Sequence, residues 1–128
     1  MRLLLDTHVL LALLDGRVAV LGRRVARVIE SDDHAFWLSV ASLWEIAIKW
    51  RLGKLPLSVP PVRLPELLGD IGITMLSITA EHVLNVALPE PTTRDPFDRL
   101  LLAQCQIEGM RLVTVDRALA SHRLALRL

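Results

Sequence analysis

The feature that most constrains the fold is the alternation of short apolar runs with longer segments of helical periodicity. Leu3–Leu5 is the first such run, and others occupy 35–38, 73–76 and 112–115, with a possible last strand at 124–126. Short apolar strands that alternate with helices predict a mainly parallel sheet covered by helices on both faces. We therefore expect a single α/β domain over residues 1–128, with the three layers helix, sheet and helix.

The helices are predicted from apolar spacing and from residues that begin or end helices. They cover 7–14, 20–30, about 43–52, about 65–70, about 80–87, a long helix that ends at Gly109, and 117–121. Two segments rich in proline, 56–65 and 89–96, are predicted to be loops.

Composition restricts the class of protein. Cys105 is the only cysteine, so no internal disulfide forms and a reducing compartment is expected. Asp6 interrupts the N-terminal apolar run, which argues against a signal peptide, and no apolar run is long enough to span a membrane. We expect a cytoplasmic protein. The net charge of +1 neither favours nor excludes nucleic acid, while a hydrophobic fraction of 52% indicates a complete core or a surface covered by a partner.

Acidic residues stand at or near the starts of four predicted helices: Asp6, Glu45, Asp98 and Asp116. Each has a structural explanation. Asp6 and Asp116 are suited to cap the helices that follow them, and Ser42 and Glu45 have the spacing of a capping box. The negative charge of Asp98 in a first turn interacts favourably with the helix dipole. Taken singly, capping outweighs catalysis at each position.

Considered together, these acids point to a site. In a parallel α/β sheet the helix N-termini gather at the carboxyl edge, where such folds bind ligands. This places Asp6, Glu45 and Asp116 along one rim, and helical spacing directs Asp98 inward. Glu45 and Lys49 form a narrow polar stripe, which is either an exposed ion pair or, as we favour, the lining of a cleft.

Crowded carboxylates favour a metal ion. Two carboxylates 4 Å apart repel by about 4 kcal/mol at an effective dielectric of about 20, and a hard divalent cation relieves this repulsion. Ligands that are all oxygen select Mg²⁺ or Mn²⁺ over zinc. The histidines show no metal-ligand spacing, and we expect them in loops or on exposed faces: His8, His34, His82 and His122.

Four segments carry a resemblance to a known family. Asp6-Thr7 after the first strand, SLWEIAIK at 42–49, RDPFDRLLLAQ at 94–104 and VTVDRAL at 113–119 resemble the PIN-domain ribonucleases, in particular the VapC-like toxins of bacterial toxin–antitoxin pairs. The likeness extends from Leu3 to about Leu126. It implies a PIN-like fold in which one or two Mg²⁺ or Mn²⁺ ions are bound by the acids and RNA is cleaved.

By this resemblance the metal-site acids are Asp6, Glu45, Asp98 and Asp116, with Thr7, Thr114 and Asp95 in supporting roles. The chain departs from relatives at Thr93, where many have a histidine. Metal-activated water leaves 5′-phosphate and 3′-hydroxyl ends. The resemblance also implies a homodimer and an antitoxin protein bound in an apolar groove.

Arginines and leucines near these motifs have two interpretations each. Arg94 and Arg117 are candidates to contact phosphate, whereas Arg99 is expected to be an ordinary solvent-side residue. Most apolar residues of 10–14 and 83–88 are expected to be core, although either segment would suit a partner.

Two alternative functions remain at the level of sequence. The first is a non-catalytic PIN-like module for RNA binding or assembly. The absence of one of the four acids would favour it, but all four are present. A metal-dependent phosphatase commonly has a second aspartate two residues after the first, where this chain has His8.

Overall fold

A computed structural model describes residues 1–128. Its strands are β1 Arg2–Leu5, β2 Ala35–Ser39, β3 Thr74–Leu76 and β4 Arg111–Val113. They form one four-stranded sheet in the order β3-β2-β1-β4, and every neighbouring pair is parallel. The predicted parallel α/β sheet is confirmed.

Seven α-helices connect and cover the strands. They are α1 Thr7–Leu14, α2 Arg23–Glu30, α3 Val40–Arg51, α4 Leu64–Asp70, α5 Ala80–Leu84, α6 Pro96–Glu108 and α7 Arg117–Ala120. Short 3₁₀ turns occupy Val18–Leu21 and Pro61–Arg63. No helix combines the length and the apolar character that crossing a membrane requires.

The central strand β1 divides the core into two layers, because successive side chains of a strand point to opposite faces. Leu3 and Leu5 pack with residues of α1, α2, α3 and α4. Leu4 packs on the other face with residues of α6 and α7. All three leucines are fully buried, and the expected three layers are confirmed.

Two helix starts differ from the prediction. The segment 20–30 is not one helix, because Gly22 with φ +107° separates the 3₁₀ turn from α2. The Ser42–Glu45 capping box was wrong, since α3 begins at Val40 and the Ser39 hydroxyl accepts the capping hydrogen bond from the Ala41 N–H at 3.0 Å. Ser39 ends β2, so the chain passes directly from strand to helix and Ser42 lies inside it.

Two predicted elements are shorter than expected or absent. α5 ends at Leu84 rather than near 87. Residues 124–126 form no strand, and Ala125 makes only an isolated bridge to Leu112 beside β4. The sheet therefore ends with β4 at this edge.

The burial of two groups was wrongly predicted. His82 is buried, because α5 packs against α6. It also completes a capping box at the start of α5, in which its Nδ1 accepts from the Thr79 N–H at 3.1 Å and the Thr79 hydroxyl accepts from the His82 N–H. The segment 83–88 is mostly surface rather than core, with four large apolar side chains exposed: Val83, Leu84, Val86 and Leu88.

Candidate active site

Asp6 follows the central strand at the carboxyl edge of the sheet. Its backbone N–H donates to the Val113 carbonyl at 3.0 Å, which ties it to the end of β4. The residue is 3% exposed, and its side chain makes no capping hydrogen bond to α1. Asp6 therefore occupies the N-cap position of α1, as the sequence suggests, but its side chain does not make the capping hydrogen bond. Burial raises the pKa of Asp6, against the opposing effects of a Thr114 hydrogen bond and the nearby His8.

Thr114 links two of the acids through one hydroxyl group. Its Oγ1 donates to Asp6 Oδ2 at 2.7 Å and accepts from the Asp116 N–H at 3.1 Å. Thr114 is 2% exposed, and its bond to Asp6 is buried, whereas the bond from the Asp116 N–H is only partly buried. Asp116 also accepts from the Ala118 N–H at 2.9 Å and caps α7, as predicted. Two of the acids are thus held together by a residue of the TVD motif.

Glu45 lies on a buried side of α3. It is 8% exposed, whereas the preceding Trp44 is 63% exposed. Glu45 Oε2 accepts from Lys49 Nζ at 2.9 Å. The alternative of an ordinary exposed ion pair does not fit a buried carboxylate, although the Lys49 side chain is 44% exposed and lies on the solvent side of the pair.

Asp98 lies in the first turn of α6 and is half-buried. Asp95 caps the helix by accepting from the Phe97 and Asp98 N–H groups at 2.8 and 3.3 Å. The pKa of Asp98 is raised to about 7, first by burial and then by the negative charges of Asp95, Asp6, Asp116 and Glu45. The structure therefore brings Asp6, Glu45 and Asp116 within electrostatic reach of Asp98.

Two contacts that the sequence did not reveal join the helices at this edge. Thr7 Oγ1 donates to Ser42 Oγ at 3.0 Å, and both residues are buried. The rings of Trp44 and Phe97 pack edge-to-face with centroids 5.7 Å apart. The first contact joins α1 to α3, and the ring contact joins α3 to α6 beside Glu45 and Asp98. Neither contact has a spacing signal, because each joins segments that are distant in sequence.

The four carboxylates are the type of ligand that a hard divalent cation prefers, but their side chains are not arranged as a metal site in this structure. No three His, Cys, Asp or Glu side chains stand as a group that could hold a metal ion. Glu45 is paired with Lys49 and Asp6 accepts from Thr114. The donors are all oxygen, and their mutual repulsion, expressed in the raised pKa of Asp98, is what Mg²⁺ or Mn²⁺ relieves.

Arg99 has a structural role that the sequence interpretation did not assign. Its Nε donates to the Thr93 carbonyl at 2.6 Å and its Nη2 to the Pro91 carbonyl at 2.9 Å. These bonds hold the loop before α6 against the helix. Arg94 and Arg117 are exposed near the acids and remain available for a ligand.

Apolar surface lies away from the acids. A groove of about 320 Å³ is lined only by hydrophobic side chains from α1, α2, α4 and the neighbouring strands, among them Leu14, Ile29, Phe36 and Ile71. It lies on the sheet face that Leu3 and Leu5 cover.

Comparisons with known proteins agree with the fold. A sequence model of the PIN domain matches residues 3–123. The chain is similar to ribonuclease VapC22 of Mycobacterium tuberculosis, with 36% identity over 100 residues that cover 73% of this chain and 74% of that protein. Ribonuclease VapC16 of the same organism is 38% identical over 56 residues, 43% of this chain and 40% of that one. A chain in a toxin–antitoxin complex from Klebsiella pneumoniae has a similar fold, with a TM-score of 0.65 and 19% identity over 96% of this chain and 94% of that chain.

Proposed function

The chain belongs to the PIN-domain family, and we propose that it is a metal-dependent endoribonuclease and the toxin of a toxin–antitoxin pair. The observation that carries this proposal is the convergence of Asp6, Glu45 and Asp116 on Asp98, whose pKa is raised to about 7 first by burial and then by the charges of these acids and of Asp95. The similarity to two VapC ribonucleases supports the choice of RNA as substrate.

The proposed metal ligands are Asp6, Glu45, Asp98 and Asp116. When bound, Mg²⁺ or Mn²⁺ would acidify a water molecule and offset charge on the scissile phosphate. Thr114 fixes the Asp6 carboxylate by donating to Oδ2. Thr7 holds the start of α1 against α3 through Ser42.

Three other residues have supporting roles in this proposal, one toward Asp98 and two toward the substrate. Asp95 begins α6 and so sets the place of Asp98. The exposed guanidinium groups of Arg94 and Arg117 are suited to RNA phosphates, which accept paired hydrogen bonds from arginine.

The proposed protein partners are an antitoxin and a second copy of the chain. The hydrophobic groove of about 320 Å³ has a surface suited to the apolar face of an antitoxin helix. The exposed apolar residues of 83–88 lie elsewhere and support self-association, since apolar patches of monomers are usually small.

A non-catalytic PIN-like RNA-binding or assembly module is the second candidate. One observation favours it: the acids do not stand as a metal-holding group, and Glu45 is paired with Lys49. The two candidates differ in one measurable property, cleavage of RNA that depends on a divalent cation.

The test is RNA cleavage by the purified chain with Mg²⁺, Mn²⁺ or EDTA, for the wild type and the variants Asp6→Asn and Asp98→Asn. We expect cleavage only with a cation, 5′-phosphate products and a loss of about 100-fold or more in each variant, since each removes a ligand charge. Asp32→Asn is the matched control, because Asp32 is exposed before β2 at the opposite edge of the sheet. Cleavage that persists in EDTA, or that survives both substitutions, would refute the proposed mechanism.

A further inference from the structure

Lys49 is the only cation that is paired with a carboxylate of the acid cluster. Its Nζ lies 2.9 Å from Glu45 Oε2. The Arg99–Glu90 ion pair and the contact between His82 Nε2 and Glu108 Oε1 at 3.8 Å involve none of the four acids. We propose that Lys49 is the internal counter-ion of this cluster, which pairs with Glu45 in the absence of a divalent cation and releases it when the cation binds. This inference rests on the proposed metal-dependent function.

The environment of the pair differs from that of an ordinary helical ion pair. Exposed pairs four residues apart stabilise a helix only slightly, because water screens both charges. Here the Glu45 side chain is only 10% exposed, while that of Lys49 is 44% exposed. The carboxylate is therefore fixed in the protein, and the ammonium group reaches it from the solvent side.

Lys49 also senses acids on a different helix. Its pKa is raised first by the hydrogen bond with Glu45, and the charges of Asp95 and Asp98 at the start of α6 act in the same direction. The ring of Trp44 on α3 packs against that of Phe97 on α6 with centroids 5.7 Å apart, so the part of α3 that carries Glu45 lies beside the start of α6.

A divalent cation and the Lys49 ammonium group compete for the same carboxylate. Each attracts Glu45, and their positive charges repel each other. Lys49 can withdraw at little cost, since its side chain is flexible, partly exposed and one turn along α3 from Glu45. Binding of the cation and pairing of Lys49 therefore weaken each other by the same factor.

The experiment measures the dissociation constant of Mn²⁺ by electron paramagnetic resonance, without RNA, so that it is independent of catalysis. We expect Lys49→Met, which keeps the aliphatic chain, to bind Mn²⁺ about fivefold tighter or more. Lys49→Arg keeps the charge and should bind like the wild type. Lys54→Met is the matched control, because Lys54 is the other lysine of the chain and is exposed beyond α3.

A second readout separates this role from a general change in the fold. In EDTA, Lys49→Met should melt at a lower temperature than the wild type, because the carboxylates lose their counter-ion, and saturating Mn²⁺ should raise its melting temperature by more than it raises that of the wild type. Lys49→Gln provides a second uncharged variant if Lys49→Met folds poorly.

The outcomes distinguish this inference from the proposed function. The role of Lys49 is supported if Lys49→Met and Lys49→Gln bind Mn²⁺ more tightly than the wild type while Lys49→Arg and Lys54→Met do not. Equal or weaker binding by these variants overturns it and leaves the metal site intact. A wild-type chain that binds no Mn²⁺ overturns the proposed metal-dependent function, and this inference with it.

Discussion

Replacement of Thr114 by valine removes one hydroxyl group and nearly preserves the shape of the side chain. In the wild type this hydroxyl donates to Asp6 Oδ2 at 2.7 Å and accepts from the Asp116 N–H. Hydrogen bonds to charged groups contribute about 1.5–3 kcal/mol each and neutral ones about 1 kcal/mol. Because Asp6 and Thr114 are both buried, water cannot replace the lost donor. We expect Thr114→Val to lower the free energy of unfolding by about 2–4 kcal/mol.

The assay is urea unfolding in EDTA at pH 8, with Thr114→Ser as the control that keeps the hydroxyl. The serine variant loses one methyl group and should cost only about 1 kcal/mol. Burial already raises the pKa of Asp6, and loss of the Thr114 donor removes an effect that lowers it. The pKa should therefore rise further in Thr114→Val. Because protonated Asp6 no longer needs this donor, the deficit in stability should shrink as the pH falls.

One result would refute this reasoning. If Thr114→Val is as stable as Thr114→Ser at pH 8, with the same dependence of unfolding free energy on urea concentration, the Thr114 hydroxyl does not stabilise the Asp6 carboxylate. An unchanged deficit at low pH would show instead that the loss comes from packing.

Three further predictions concern other parts of the structure. In EDTA, the free energy of unfolding of the wild type should decrease as the pH rises from about 4 to about 7, because folding raises the pKa of Asp98 from 3.8 to about 7. Asp98→Asn should show a smaller decrease when urea titrations are repeated across this pH range. An equal decrease would contradict the raised pKa. Arg99→Met removes two hydrogen bonds to the loop before α6, so trypsin should cut after Arg94 several-fold faster, whereas an unchanged rate would mean that Arg99 does not hold this loop. His82→Leu removes a buried ring nitrogen that accepts from the Thr79 N–H at 3.1 Å and lies 3.3 Å from Nε2 of the buried Gln104, so it should destabilise the chain by about 1–3 kcal/mol in thermal melts; its affinity for Mn²⁺ should stay at the wild-type value, and a weakened affinity would contradict the separation of His82 from the acids.

The fold was predictable where apolar runs and helix-ending residues coincide. β1, α1 and α6 lie within about a residue of their predicted bounds. The end of α6 was predictable because glycine, here Gly109, readily adopts the backbone conformation that ends a helix. The start of α3 was not predictable in this way. Ser39 and Ser42 are both plausible caps, and the choice depends on where β2 ends, which is set by the pairing of Ser39 with Leu76 of β3.

The gathering of the acids was predictable from topology, and their partners were not. Parallel strands fix the edge at which Asp6 and Asp116 stand, whatever side chains surround them. The bond between Thr114 and Asp6 and the ring contact between Trp44 and Phe97 depend on how separate segments pack. The burial of His82 has the same origin, since it follows from the packing of α5 against α6.

The position of Asp6 behind the most buried strand has a consequence for regulation. Leu3, Leu4 and Leu5 anchor that strand in both core layers, so its amide protons should exchange with solvent only when the whole chain unfolds. Local melting therefore cannot displace Asp6 while the rest of the molecule stays folded. A mechanism that silences this edge without destroying the protein has to act from outside, by covering the rim.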